Sequence, residues 1–161
     1  LSLIDILEKD KVNQKYYVDI NNMYNGLITG LRFDDNGNPI VKVREATKKG
    51  YTEATIGDSI NVAHYNSKTR RGRVGHGVAQ TLTTTCYQHV LEKDGSVRKL
   101  TPKECWRLQL LNDKYFNLVE DIAKIPETKL YERAGRTIPI TIVKAIYKNL
   151  FGDMINAENN E

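Results

Sequence analysis

Apolar residues recur at helical spacing towards both ends of the chain and at strand spacing between them, and this change of period sets the expected fold. Near the start, Leu3, Ile4, Ile6 and Leu7 follow Ser2, an N-cap residue, with Asp5 in the first turn where a carboxylate favours the positive helix end. The pattern predicts a short docking helix. Asp19 caps a second predicted helix that carries Ile20, Met23, Tyr24, Leu27 and Ile28 and ends near Gly30. From Leu31 the period shortens. Arg32-Phe33 and residues 40–43 flank Asp34-Asp35-Asn36-Gly37-Asn38, whose Asn-Gly pair supplies the positive φ angles of a hairpin turn. Further β-prone runs lie at 54–56, 60–64, 79–85 and 87–91, and Lys93-Asp94-Gly95-Ser96 closes a turn before Val97.

Helical signals return at Thr101-Pro102-Lys103-Glu104, which places a hydroxyl at the N-cap, proline at the first helical position and glutamate three residues after the cap. A last helix is predicted after Pro139, with Ile142, Ile146 and Leu150 on one stripe and Val143 and Tyr147 beside it. Gly152 is its expected stop, and the acidic tail after Asp153 is expected to fray. The fold class is therefore α+β: a small, loop-rich β region over residues 31–99, a helical connector over 1–30 before it, and a helical segment over 100–161 after it.

Composition narrows the function classes. At 161 residues with 40% hydrophobic and 27% charged content, the chain is long enough for a packed core. The two cysteines, Cys86 and Cys105, stand outside any CxxC pair, so neither a disulfide framework nor a cysteine-rich zinc site is suggested, and a reducing compartment fits best. No signal peptide or membrane-length apolar run occurs, which leads to the expectation of a cytoplasmic protein with no membrane partner. The first residue is leucine, so a piece of a longer chain is expected.

The net charge of +4 is unevenly placed: residues 59–91 contain no Asp or Glu, while Lys68, Arg70, Arg71 and Arg73 cluster around Gly72, Gly75 and Gly77. Arginine offers a planar fork of donors that suits phosphate oxygens and the guanine O6/N7 edge, and adjacent glycines let backbone approach a duplex. Gln80 and the hydroxyls of Thr81, Thr83, Thr84 and Thr85 add donors and acceptors. Nucleic acid is the natural partner of such a window, although a solvated loop beside a threonine-rich strand has the same composition. The three histidines, His64, His76 and His89, fit no standard metal spacing, so no metal site is expected. Cys105 beside Trp106 reads as a buried structural thiol.

Longer motifs give the sequence a family likeness. Arg98-Lys99-Leu100-Thr101-Pro102-Lys103-Glu104-Cys105-Trp106-Arg107-Leu108-Gln109 closely resembles motif IX of DNA cytosine-5 methyltransferases, and the stretch from Tyr131 through Gly135-Arg136-Thr137 to Val143 resembles motif X. The run from Arg70 to Thr84 is similar to the family's target-recognition region, including its Thr-Leu pair at Thr81 and Leu82. Two departures stand out: Leu110-Leu111-Asn112 replaces the usual Gly-Phe-Pro, and Arg136-Thr137 replaces Asn-Ser.

This resemblance implies sequence-specific DNA recognition by Lys68, Arg70, Arg71, Arg73, Gln80, Thr81, Leu82, Thr83 and Thr84. It also implies cofactor contact at Arg136 and Thr137 with S-adenosylmethionine in the full enzyme. The family's Phe-x-Gly-x-Gly, Pro-Cys and Glu-Asn-Val motifs do not occur in the sequence, so no catalytic residue is expected in this chain, and a catalytic domain or subunit is an expected partner. Two other readings share the same motifs: a free-standing DNA-binding or inhibitory protein derived from a methyltransferase tail, and the small subunit of a split enzyme. Whichever holds, Leu3, Ile6 and Leu7 and the last helix are expected to expose an apolar patch that a homodimer would bury.

Overall fold

The computed structural model describes residues 2–22, 24–67 and 72–158. Its architecture is mixed α+β, with two small antiparallel sheets and a group of helices. After helix α1 (Leu3–Ile6) come strands β1 (Tyr17–Val18), β2 (Ile28–Phe33), β3 (Pro39–Arg44), β4 (Tyr51–Ala54), β5 (Ser59–Asn61), β6 (Arg73–Gly75), β7 (Gln88–Leu91) and β8 (Val97–Lys99). Helices α2 (Pro102–Leu108), α3 (Asp113–Ala123), α4 (Glu127–Arg136) and α5 (Ile140–Glu158) follow. One sheet has the order β1-β8-β7-β5-β6 and the other β2-β3-β4. Among the described residues no helix is long and apolar enough to cross a membrane.

The five-stranded sheet separates two cores, and the two-residue period of a strand explains how. All four residues of β7 are buried. Val90 packs towards the helices with Leu3, Ile6, Leu100, Cys105, Trp106, Phe116, Leu130 and Tyr131. Its neighbour Leu91 faces the other sheet, with Leu27, Ile28, Val41, Val43, Ile60 and Val97. Each such aliphatic side chain contributes about 1.5–3 kcal/mol by leaving water, so both halves of the molecule depend on the same central strand.

Local signals held at several places. Thr101 caps α2 by accepting from the Glu104 N–H at 3.2 Å, and the Glu104 carboxylate accepts from the Thr101 N–H at 2.8 Å. The β2–β3 hairpin forms with Phe33 opposite Pro39, but only Gly37 of the Asn-Gly pair has positive φ, at 77°. Asp34 does the rest of the work: its Oδ1 accepts from the Asn36 and Asn38 N–H groups at 2.9 and 2.8 Å.

Three expectations are corrected. The predicted second helix over 19–30 does not form among the described residues, Met23 lying outside them. Asp19 instead caps a turn through Asn21, and Tyr24, Asn25 and Gly26 have φ of 59°, 48° and 66°, outside the right-handed helical region. Tertiary pairing overrides the local period here: the Arg44 N–H donates to the Leu27 carbonyl at 2.8 Å, and Leu27 and Ile28 enter the inter-sheet core. Gly152 does not stop the last helix, which continues to Glu158; glycine inside a helix costs about 1 kcal/mol relative to alanine without forbidding it. Finally, Leu3 and Ile6 are not exposed. They are buried against the α2 core, and the Arg107 guanidinium donates to the Ile6 carbonyl at 3.0 Å. The α5 stripe, by contrast, is exposed: Ile142, Ile146 and Leu150 are 50%, 50% and 67% accessible.

Candidate nucleic-acid interface

Arg73 opens β6, the edge strand of the larger sheet, and its side chain is exposed. Lys68, Arg70 and Arg71 lie outside the described residues. The base of their segment is tied to the smaller sheet, since the Gly72 N–H donates to the Arg44 carbonyl at 3.0 Å. Before it, Asn66 accepts from the Asn25 side chain at 2.7 Å.

Gln80 is half-buried, and its amide nitrogen donates to the Arg73 carbonyl at 3.1 Å, bracing the backbone beneath that arginine. Its own main chain is gripped by the buried Gln88 side chain: Gln88 Oε1 accepts from the Gln80 N–H and Gln88 Nε2 donates to the Gln80 carbonyl, both at 2.8 Å. This side-chain clamp occupies the main-chain groups of Gln80 that a strand ladder would use, and residues 79–85 join no sheet, contrary to the β-run read from the sequence. Leu82 packs on the helical core, whereas Thr81, Thr83 and Thr84 are exposed. The Thr83 hydroxyl donates to the Thr85 carbonyl.

Helix α4 touches this threonine segment backbone to backbone. A Cβ at Gly135 would fall 2.4 Å from the Thr83 carbonyl carbon and oxygen and 2.7 Å from the Thr84 nitrogen, atoms that cannot yield as a side chain can. The contact brings Arg136 next to Thr84. Both line a cleft of about 370 Å³ together with Thr85, Lys99, Lys129 and Glu132. Glu132 pairs with Lys129 at 2.7 Å and with Arg136 at 2.8 Å, and these cations hold its carboxyl below the usual range, the hydrogen bond from Lys129 first. Lys99 lies over the Tyr131 ring, 4.1 Å from its centroid. Burial raises the pKa of Tyr131, whose hydroxyl donates to the Leu100 carbonyl at 2.7 Å. Thr137 sits one step further on, its hydroxyl donating to the Arg133 carbonyl at 2.7 Å.

Next to Lys99 in the chain, Arg98 forms a buried ion pair. Arg98 donates through both terminal nitrogens to the two oxygens of Glu104 at 2.8 Å each, and through Nε to Glu92 at 2.5 Å. Burial works against the guanidinium charge, but the Glu104 and Glu92 bonds outweigh it and keep Arg98 protonated. Glu104 also accepts from the Glu8 N–H at 2.9 Å, linking the N-terminal segment to β8 and α2. Arg98 and Glu104 of this motif thus act inside the fold, whereas Lys99 lines the cleft. Sequence reading passed over Gln88, Lys99 and Gly135 as individual contributors, although an isolated glycine within a helical run is a usable sign of close approach.

Neither cysteine faces a cleft: both are buried, with sulfurs 3.6 Å apart. His76 Nδ1 lies 3.1 Å from Asp58 Oδ2, and His89 Nε2 lies 2.8 Å from the Tyr24 hydroxyl. Among the described residues no group of three or more metal-ligating side chains gathers.

The family model of C-5 cytosine-specific DNA methylases matches residues 2–152. The chain belongs to that family. Relatives of the chain include the orphan methyltransferase M.Rho11sI of Bacillus phage rho11s, 38% identical over 63 residues, which are 39% of this chain and 12% of that protein. The orphan methyltransferases M.SPBetaI of Bacillus phage SPbeta and M.SPRI of Bacillus phage SPR are 36% and 38% identical over the same length, 39% of this chain and 14% of each relative. The chain therefore matches only a small share of the length of these proteins.

Proposed function

We propose that this methylase chain is the target-recognition and C-terminal part of a DNA cytosine-5 methyltransferase, approaching double-stranded DNA from the major-groove side. A flipped cytosine would be presented to a catalytic domain or subunit outside the chain. The observation that carries this reading is the acid-free stretch 59–91, which exposes Arg73 on the edge strand and Thr81, Thr83 and Thr84 beyond it, with Thr83 and Thr84 held against α4. Threonine hydroxyls there suit the target nucleotide's phosphate, with Leu82 anchoring the segment.

Attack on cytosine C6 needs a cysteine thiolate that reaches the base. Cys86 and Cys105 are buried in the helical core and serve packing. The nucleophile would come from the partner, for which the exposed Ile142, Ile146 and Leu150 face of α5 is a fitting dock.

S-Adenosylmethionine supplies the methyl group in full enzymes of this kind. The residues present do not by themselves make a site for it: Arg136 is exposed and paired with Glu132, and the Thr137 hydroxyl is spent on Arg133. No step of cofactor chemistry is assigned to this chain.

Selection from a randomised duplex library tests the reading directly. Recognition predicts enrichment of a short motif that contains cytosine. A pool that binds without enrichment would leave only phosphate attraction and would remove the target-recognition role.

A further inference from the structure

The smaller sheet carries a second set of cations that the basic segment does not account for. Lys42, Arg44, Lys48 and Lys49 lie on β3 and the β3–β4 turn, and β3 is the strand whose Arg44 carbonyl receives Gly72. Along β3 the apolar Val41 and Val43 turn inward, so Lys42 and Arg44 are on the outer face, with Glu53 and Tyr51 opposite them on β4. Lys42 rests over the Tyr51 ring at 4.8 Å. Beyond the turn, a cleft of about 520 Å³ runs between β4, the edge strand of the smaller sheet, and the turn that follows β6 of the larger one. Thr47, Lys48, Lys49, Tyr51, Glu53 and His76 line it.

The charges of this cleft are unequally satisfied. Glu53 is paired with Arg32 at 3.2 Å. Asp58, behind His76, accepts from the Thr55 N–H at 2.9 Å, the Thr55 hydroxyl at 3.1 Å and the Gly77 N–H at 2.9 Å, so its carboxylate is committed to the loop. Lys48 and Lys49 are exposed and make no ion pair with any described residue. The lining thus has two ammonium groups that no described acid pairs, while Glu53, Asp58 and the His76 Nδ1 facing Asp58 are already engaged. That is an anion site of open shape, suited to a backbone that passes through and not to an enclosed small molecule.

We propose that this cleft holds a phosphodiester of the DNA backbone through Lys48 and Lys49, extending the footprint beyond Arg73 on β6 to the smaller sheet. The inference rests on the DNA-recognition reading but concerns residues that reading does not use. Backbone contact fixes the orientation of the duplex without reading its bases.

The test is binding of the full chain to a mixed-sequence duplex across a salt series, comparing the parent with K48A/K49A and K48R/K49R. Each phosphate contact contributes about 0.9 to the slope of log K against log salt. The expected result is a slope flattened by about 1–2 in K48A/K49A, weaker binding by the same factor on every duplex sequence, and restoration of the slope in K48R/K49R. An unchanged slope in K48A/K49A, with the parent binding normally, would overturn the phosphate site while leaving target recognition intact. A parent chain that fails to bind any duplex at low salt would overturn both. Circular dichroism checks that the exposed substitutions leave the fold unaltered.

Discussion

His89 shows how a single residue ties stability to pH. Its Nδ1 faces the Tyr87 carbonyl at 3.1 Å, which only accepts, so that nitrogen carries the proton and Nε2 accepts from the Tyr24 hydroxyl at 2.8 Å. The ring is neutral, and burial pushes its pKa from 6.5 down to about 4. Between these values the unfolded chain binds a proton that the folded chain refuses. Stability from this group is therefore complete above about pH 6.5 and is lost as pH falls towards 4, by about 3 kcal/mol in all. Urea unfolding at pH 7 and pH 4.5 measures it, and H89Q should lose this part of the pH dependence. An equal loss in H89Q and the parent would assign it to other groups.

Among the elements, α4 and the threonine segment depend on one missing Cβ. Gly135→Ala places a methyl group within 2.4 Å of the Thr83 backbone, so α4 must move away. The expected cost is about 1–3 kcal/mol of stability, typical of overpacking, measured by thermal unfolding. A variant as stable as the parent would show that the contact is loose. The capped α2 and the β2–β3 hairpin were legible in the sequence because their determinants are local: Thr101 with Glu104, and Asp34 with Gly37. The 19–30 segment was not. Its apolar spacing fits a helix, and only pairing with Arg44 and the Tyr24–His89 contact, made by residues far away in sequence, place it otherwise. The same reason hid the Gln88 clamp, which uses a side chain where a sequence reading expects a strand. Of the candidate site, the run of exposed threonines and Arg73 was readable from composition; the cleft that joins Thr84 to Lys99 and Arg136 was not, because folding alone brings these three together.

At the scale of the molecule, two cores hang on one central sheet while α5 leaves its apolar stripe in water. Ile146 and Leu150 make little contribution to the isolated fold, so I146K/L150K is expected to change unfolding free energy by less than about 0.5 kcal/mol while reducing self-association and dye binding to apolar surface. A large destabilisation would mean that α5 packs within the chain. The central claim is that this chain grips DNA through its acid-free basic stretch. Duplex binding by the intact chain and by R70A/R71A/R73A, followed across a salt series, tests that claim most directly. Salt-sensitive binding by the parent and its loss in the triple variant is the predicted result. Binding that survives the three substitutions with the same salt slope would contradict it.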